Sequence, residues 1–381
     1  MKAPRGAEAE PGPEPDRIEG VPHPRDTLHL FGQEAAEAAF LDAHATGRLH
    51  HGWMLTGPRG VGKATLAWRI ARFLLATPEA EPDGLFGAPP PPATLDVPPD
   101  HPVARRMAAM AEPGLFLLRR GLDDRGSLRQ QITVDEVRRM KSFFTLSAAD
   151  GGRRVAIVDA ADEMNVSAAN ALLKLLEEPP ARTTLILIAH QPSRLLPTIR
   201  SRVRDLRLPP LPPAALAAAL DQAGTPAPPE AAAAVAELAA GSVGAAVRLL
   251  ALDGLALYAE IVALFSALPR LDRIRALQLA DSAAGKAAEG RFDLLLTLFD
   301  LFLSRLARAG IMGPPAVEAA PGEAAVLMRL APDPQAARVW AGEAAGIVAR
   351  ARQGRAVNLD PAALLMDMVL KVNETAAQAT A

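Results

Sequence analysis

The run Gly57-Pro58-Arg59-Gly60-Val61-Gly62-Lys63-Ala64 constrains this chain more than any other stretch. It fits G-x-x-x-x-G-K, a turn whose backbone N–H groups curl around a phosphate, but it lacks the Ser or Thr that should follow the lysine. The glycines let the backbone turn inward, and Lys63 would reach the outer phosphates. The hydroxyl missing at Ala64 would have held Mg²⁺. The flanks support the turn. His51-Gly52-Trp53-Met54-Leu55-Thr56 reads as a buried strand, and Leu66, Ile70, Phe73 and Leu74 recur at helical spacing. Strand, glycine turn and helix place anion-binding N–H groups at a helix N-terminus. The loop therefore predicts phosphate binding while arguing against nucleotide hydrolysis.

A second strand, Arg154-Val155-Ala156-Ile157-Val158-Asp159, ends in a carboxylate that can hold Mg²⁺ directly or through water if it lies beside the loop strand. Further strands are expected at 114–118 and 184–189, and helices at 33–46, 134–146 and 167–178. Strands alternating with helices predict a parallel sheet in an α/β domain. The proline run Leu208–Pro213 reads as a hinge, and only helical patterns follow it. The expected organisation is a disordered tail over 1–27, an α/β domain over 28–209 with an exposed Pro-rich insertion at 77–103, a small helical domain over 210–253, a larger one over 254–373, and a frayed end at 374–381.

Composition narrows the chemistry. A net charge of −2 over 381 residues gives no global field toward nucleic acid, and the absence of cysteine excludes disulfides, Cys-ligated zinc and thiol nucleophiles. The proline- and glutamate-rich N-terminus lacks an apolar signal segment, and no uncharged run is long enough to span a membrane, so a cytoplasmic location is expected. His50-His51 suggests metal, but adjacent strand residues face opposite ways, which argues against joint ligation. Arg105-Arg106 and Arg138-Arg139 with Lys141 read as solvated basic groups, and Asn170, Lys174 and Glu177 as the polar face of a helix.

Asn170-Ala171-Leu172-Leu173-Lys174-Leu175-Leu176-Glu177-Glu178-Pro179-Pro180, together with Leu185–Ala189 leading into Leu196-Pro197-Thr198-Ile199-Arg200-Ser201-Arg202-Val203, resembles the bacterial clamp-loader subunits of the AAA+ group. The resemblance implies a P-loop (AAA+/RecA-like) parallel-sheet domain, then a small helical lid and an all-α collar. In that family a Ser-Arg-Cys motif supplies an arginine finger. Here it stands as Ser201-Arg202-Val203, with the arginine kept. Hydrolysing members usually place Glu after the strand-end Asp, whereas this chain has Ala160, and Glu163 is expected to lie too far along to substitute. Their lid carries Gly-Ser-x-Arg, and this chain reads Gly241-Ser242-Val243-Gly244. The family's four-cysteine zinc module is impossible without cysteine, so no zinc is expected.

The resemblance is therefore to a non-motor subunit of the DNA polymerase III holoenzyme rather than to the alternative, an ATP-hydrolysing motor. It implies Arg202, with Ser201, acting in trans on a neighbour's ATP. Gly57, Gly60, Gly62, Lys63, Thr65 and Asp159 would form a degenerate nucleotide site with at most weak ATP or ADP contact. The implied partners are tau/gamma motor subunits, a delta subunit, and the sliding clamp and primed DNA through the complex.

Overall fold

The computed structural model describes residues 14, 17–18, 20–47, 49–77, 92–145, 152–284 and 289–379. The chain divides into two compact units at Ala215/Leu216.

In the first unit the elements run α1 (Glu34–Ala45), β1 (Gly52–Thr56), α2 (Lys63–Ala76), α3 (Pro102–Ala108), β2 (Leu115–Arg119), α4 (Val134–Thr145), β3 (Arg154–Asp159), α5 (Val166–Glu177), β4 (Thr183–Ala189), α6 (Pro197–Arg200) and β5 (Arg204–Arg207). All five strands are parallel, in the order β2-β3-β4-β1-β5. The inner strands are near-continuous apolar runs because helices cover both of their faces. Every residue of β1 and β4 is buried. Met54, Ala156, Val158, Leu185 and Leu187 share one core with residues of α4 and α5. Phe40 of α1 packs on Trp53 of β1, with ring centroids 5.0 Å apart. Removing an aromatic this buried costs about 3–5 kcal/mol.

The strand at β5 was not expected from the sequence. Its four residues are charged except Leu206, which alone is buried, as suits a short edge strand. Helix α3 starts in the last two residues of the segment expected as an irregular insertion and runs on beyond it. Pro102 opens it after His101, whose side chain accepts from the Val103 N–H. The tetraproline block falls outside the described residues except for Pro92.

The described part of the expected tail is packed. His23 is buried edge-on against Trp68, and Glu14 pairs with Arg25 at 2.9 Å and Arg119 at 3.4 Å. These partners lie far along the chain, so a proline- and glutamate-rich composition does not reveal them.

Helix α7 (Pro213–Gln222) crosses the division. The second unit continues with α8 (Ala232–Ala239), α9 (Val243–Ala251), α10 (Gly254–Phe265), α11 (Arg273–Asp281), α12 (Glu289–Met312), α13 (Glu323–Leu330), α14 (Pro334–Ala356) and α15 (Pro361–Ala379). Its core is built on long apolar helices, with Phe265 against Phe299 and Phe302 at 5.6 and 5.1 Å. Arg329 donates to the carbonyls of Phe265, Ser266 and Leu268, satisfying the end of α10.

One polar cluster is sealed inside this unit. Glu323 is fully buried and accepts from Tyr258 Oη (2.6 Å), Arg305 Nε (2.6 Å), Arg305 Nη2 (3.1 Å) and the Ala319 N–H (2.7 Å). Arg305 also reaches Glu237 of α8 at 2.5 Å. Burial opposes the Arg305 charge, but Glu323 outweighs it and raises the guanidinium pKa; burial and Glu323 together raise that of Tyr258. Among the described residues no helix is long and apolar enough to cross a membrane.

Candidate functional site

The phosphate loop joins the C-terminal end of β1 to the start of α2. Gly57, Gly60 and Gly62 have φ of 138°, 77° and 99°, a region that L side chains avoid. Gly57 is held closest: a Cβ there would collide with the Leu208 carbonyl, just beyond β5. The buried Gln33 amide donates to Val61 O (3.1 Å) in the loop and to Pro209 O (2.8 Å). The turn is thus shaped by its surroundings as well as by its glycines.

Lys63 is buried, and its Nζ donates to Gly57 O at 2.7 Å and Pro58 O at 2.5 Å. Burial pushes its pKa down to about 8; Asp159 and Asp162 oppose the shift, and Arg59 adds to it. Ala64 and Thr65 follow on the first turn of α2, half-buried. A backbone cradle at a helix N-terminus with a buried lysine fits a phosphate. Metal-assisted hydrolysis fits poorly, because Ala64 has no hydroxyl and Ala160 no carboxylate. Among the described residues no group of three or more His, Asp or Glu side chains forms a metal site.

Two residues of this region escaped the sequence reading. Glu163, expected to lie too far along to substitute for a carboxylate at Ala160, reaches Arg59 of the loop at 3.2 Å and Arg120 at 2.9 Å. Its carboxylate is therefore engaged by two guanidinium groups. His190 follows β4, whose neighbour in the sheet is β1. Burial, then the charges of Lys63 and Arg59, lower its pKa to about 4. Asp162 accepts from the N–H groups of His190 (2.9 Å) and Gln191 (3.1 Å), fixing this turn beside the loop. A lone histidine after an apolar strand reads as bland. The available signal was its place at the C-terminal edge of a parallel sheet, where ligand groups gather.

Arg202 lies at the other end of the sheet. It precedes β5, whose Arg204 is in register with Trp53, and its carbonyl lies beside Gly52 at the start of β1. The loop begins at the far end of β1, whose five residues span roughly 17 Å. Arg202 Nη1 donates to Thr198 O at 3.0 Å and Ser201 Oγ at 3.3 Å, and Nη2 pairs with Glu177 at 3.1 Å. The structure brings Gly57, Gly60, Gly62, Lys63 and Asp159 together, and keeps Ser201 and Arg202 apart from them.

The remaining motifs resolve into local roles. Ser242 caps α9 by accepting from the Ala245 N–H, Gly244 is buried within that helix, and Arg248 is exposed. Arg106, Arg138 and Arg139 each pair with a nearby carboxylate, Glu112, Asp135 and Glu136 respectively. Asn170, Lys174 and Glu177 lie on the exposed face of α5. The histidine pair corrects an expectation. His50 and His51 precede the first strand residue, so strand alternation does not apply, and their rings stack 4.3 Å apart.

A parallel sheet in this order, with a phosphate loop after β1 and a helical unit following in the chain, has the make-up of a phosphate-loop α/β domain with an all-α extension. Residues 32–212 match the family described as "DNA polymerase III, delta subunit". DNA polymerase III subunit delta' of Pseudomonas aeruginosa is 40% identical over 196 residues, 51% of this chain and 53% of that one. The delta' subunit of Escherichia coli K12 is 32% identical over 208 residues, 54% and 56% of the two chains. The gamma/tau subunit of Mycobacterium tuberculosis H37Rv is 30% identical over 204 residues, 52% of this chain and 31% of that one. Residues 32–212 are thus similar to the delta-type subunits of DNA polymerase III, and among the relatives named here the delta' subunit of Pseudomonas aeruginosa has the highest identity. It spans about half the length of the delta prime relatives it matches.

Proposed function

We propose that the chain is a non-motor, delta prime-type subunit of the replicative clamp loader. It assembles with tau/gamma motor subunits and a delta subunit, and the complex loads the sliding clamp on primed DNA. The observation that carries this reading is the separation of the two motifs: the loop lies at one end of the sheet and Ser201-Arg202 at the other. Five strand residues between them argue against Arg202 serving its own loop and support a role at a neighbour's nucleotide. A guanidinium is always charged and matches phosphate oxygens, so in trans it stabilises the charge that develops on the transferred phosphoryl group, worth up to ~10³–10⁵ in rate.

The loop residues Gly57, Gly60, Gly62, Lys63 and Thr65, with Asp159, then form a vestigial site that holds ATP or ADP weakly and does not turn it over. Lys63 would first have to leave the Gly57 and Pro58 carbonyls. Residues 210–253 act as the lid and 254–373 as the collar, and the protein works in the cytoplasm.

The test is reconstitution. The purified chain should show negligible DNA-stimulated ATP hydrolysis and should co-purify with motor and delta subunits. Arg202→Ala should lower the ATPase of the complex without loss of assembly. Robust turnover by the chain alone would favour a motor instead, and unchanged ATPase in the variant complex would reject the role of Arg202.

A further inference from the structure

We infer that Glu177 is a positioning residue for Arg202, setting the guanidinium in the orientation from which it meets a neighbour's phosphate. The inference rests on the reading of Arg202 as a trans-acting group. Three observations converge on it. First, Glu177 is the last residue of α5 and Glu178 caps it, so two carboxylates stand at the end of a helix that favours cations. Such a placement works against the helix unless a positive charge answers it, and Arg202 Nη2 does so at 3.1 Å.

Second, the contacts divide the guanidinium. Nη1 is committed to Thr198 O and Ser201 Oγ, and Nη2 to Glu177. A guanidinium has five N–H donors in a rigid fork. Anchoring both terminal nitrogens fixes its plane and leaves donors on Nε and Nη2 for a ligand. Without Glu177 the group is tethered through Nη1 alone and can swing.

Third, the residue before Glu177 is itself pinned, because the His51 ring nitrogen Nε2 bonds Leu176 O at 2.9 Å. The end of α5 is thereby tied to the start of β1, the strand beside Arg202. Glu177 and Arg202 are 48% and 38% exposed, so the pair adds little to stability, and variants at 177 should fold. Its contribution lies in preorganisation.

The experiment is a double-mutant cycle in the complex reconstituted from the full chain with motor and delta subunits, clamp and primed DNA. The quantity read is the Arg202-dependent turnover, the wild-type ATPase minus that of Arg202→Ala. Glu177→Ala should lower it about two- to five-fold, the range an exposed ion pair supports, with KM for ATP unchanged. Glu177→Gln, which keeps an acceptor for Nη2, should recover most of the loss. In the Arg202→Ala background Glu177→Ala should do nothing further, because it acts through the arginine.

An equal fractional loss in both backgrounds would overturn the proposal, as would full activity of Glu177→Ala in a complex that loses turnover with Arg202→Ala. An Arg202→Ala complex with wild-type ATPase would instead remove the trans-acting reading itself. Co-purification and helical circular dichroism separate these outcomes from misfolding.

Discussion

Glu323→Ala should be the most destabilising single change in the helical unit. The carboxylate is fully buried and accepts four hydrogen bonds, from Tyr258, Ala319 and twice from Arg305. Its removal leaves the Arg305 side chain, 4% exposed, with only the half-exposed Glu237 as counter-charge. Breaking a buried pair from one side costs about 3–5 kcal/mol, because the remaining charge cannot recover its hydration. The orphaned Tyr258 hydroxyl adds to this, though not additively. Tyr258→Phe, which removes one bond to a charged acceptor, should cost about 1.5–3 kcal/mol. Replacing both charges together, Arg305→Met with Glu323→Leu, should cost less than the single change, since no lone charge is left behind.

The assay is amide hydrogen exchange of peptides from α12 to α14, where exchange follows the open population. A loss of 3–5 kcal/mol should speed it by about a hundred- to several-thousand-fold. An acceleration below about five-fold, or a double variant as unstable as Glu323→Ala, would refute the account of a sealed ion pair.

Two further perturbations probe the loop domain. Gly57→Ala meets both a φ of 138° and the Leu208 carbonyl, so it should destabilise the first unit by more than about 1 kcal/mol, read as a lowered urea midpoint. For His190 the folded pKa of about 4 lies below the ordinary 6.5. Between those values the unfolded chain binds a proton that the folded chain refuses, so stability is full above pH 6.5 and is lost as pH falls toward 4. His190→Asn should flatten that decline, and urea midpoints at pH 7 and 5 that shift equally in both proteins would contradict it.

Much of the α/β domain was legible because its inner strands are apolar on both faces. Arg154–Asp159 reads as a strand from composition alone, and the loop announces itself by glycine spacing. What was hidden depends on contacts distant in sequence. The edge strand Arg204–Arg207 looks like a charged loop until Trp53 is set beside it, with the Arg204 guanidinium over its ring at 5.2 Å. Glu14 and His23 read as parts of a disordered tail, yet Arg119 and Trp68 bury them. At the site, the missing hydroxyl and carboxylate at Ala64 and Ala160 could be read directly. The roles of Glu163 and His190 needed the sheet, because only strand order carries them to the loop. The opposite placement of Arg202 also depends on that order.

Strands that all run one way give this domain two chemically unlike ends, and that polarity has an arithmetic consequence. In a head-to-tail assembly a complete site is the sum of a loop from one chain and an arginine from the next. Every motor both lends a half-site and borrows one. If it acts as proposed, lending Arg202 without a working loop of its own, this chain borrows nothing. Under the function proposed above, such a chain at the end of an open arc would complete the site of the one motor beside it and leave no hydrolytic half-site stranded at the gap.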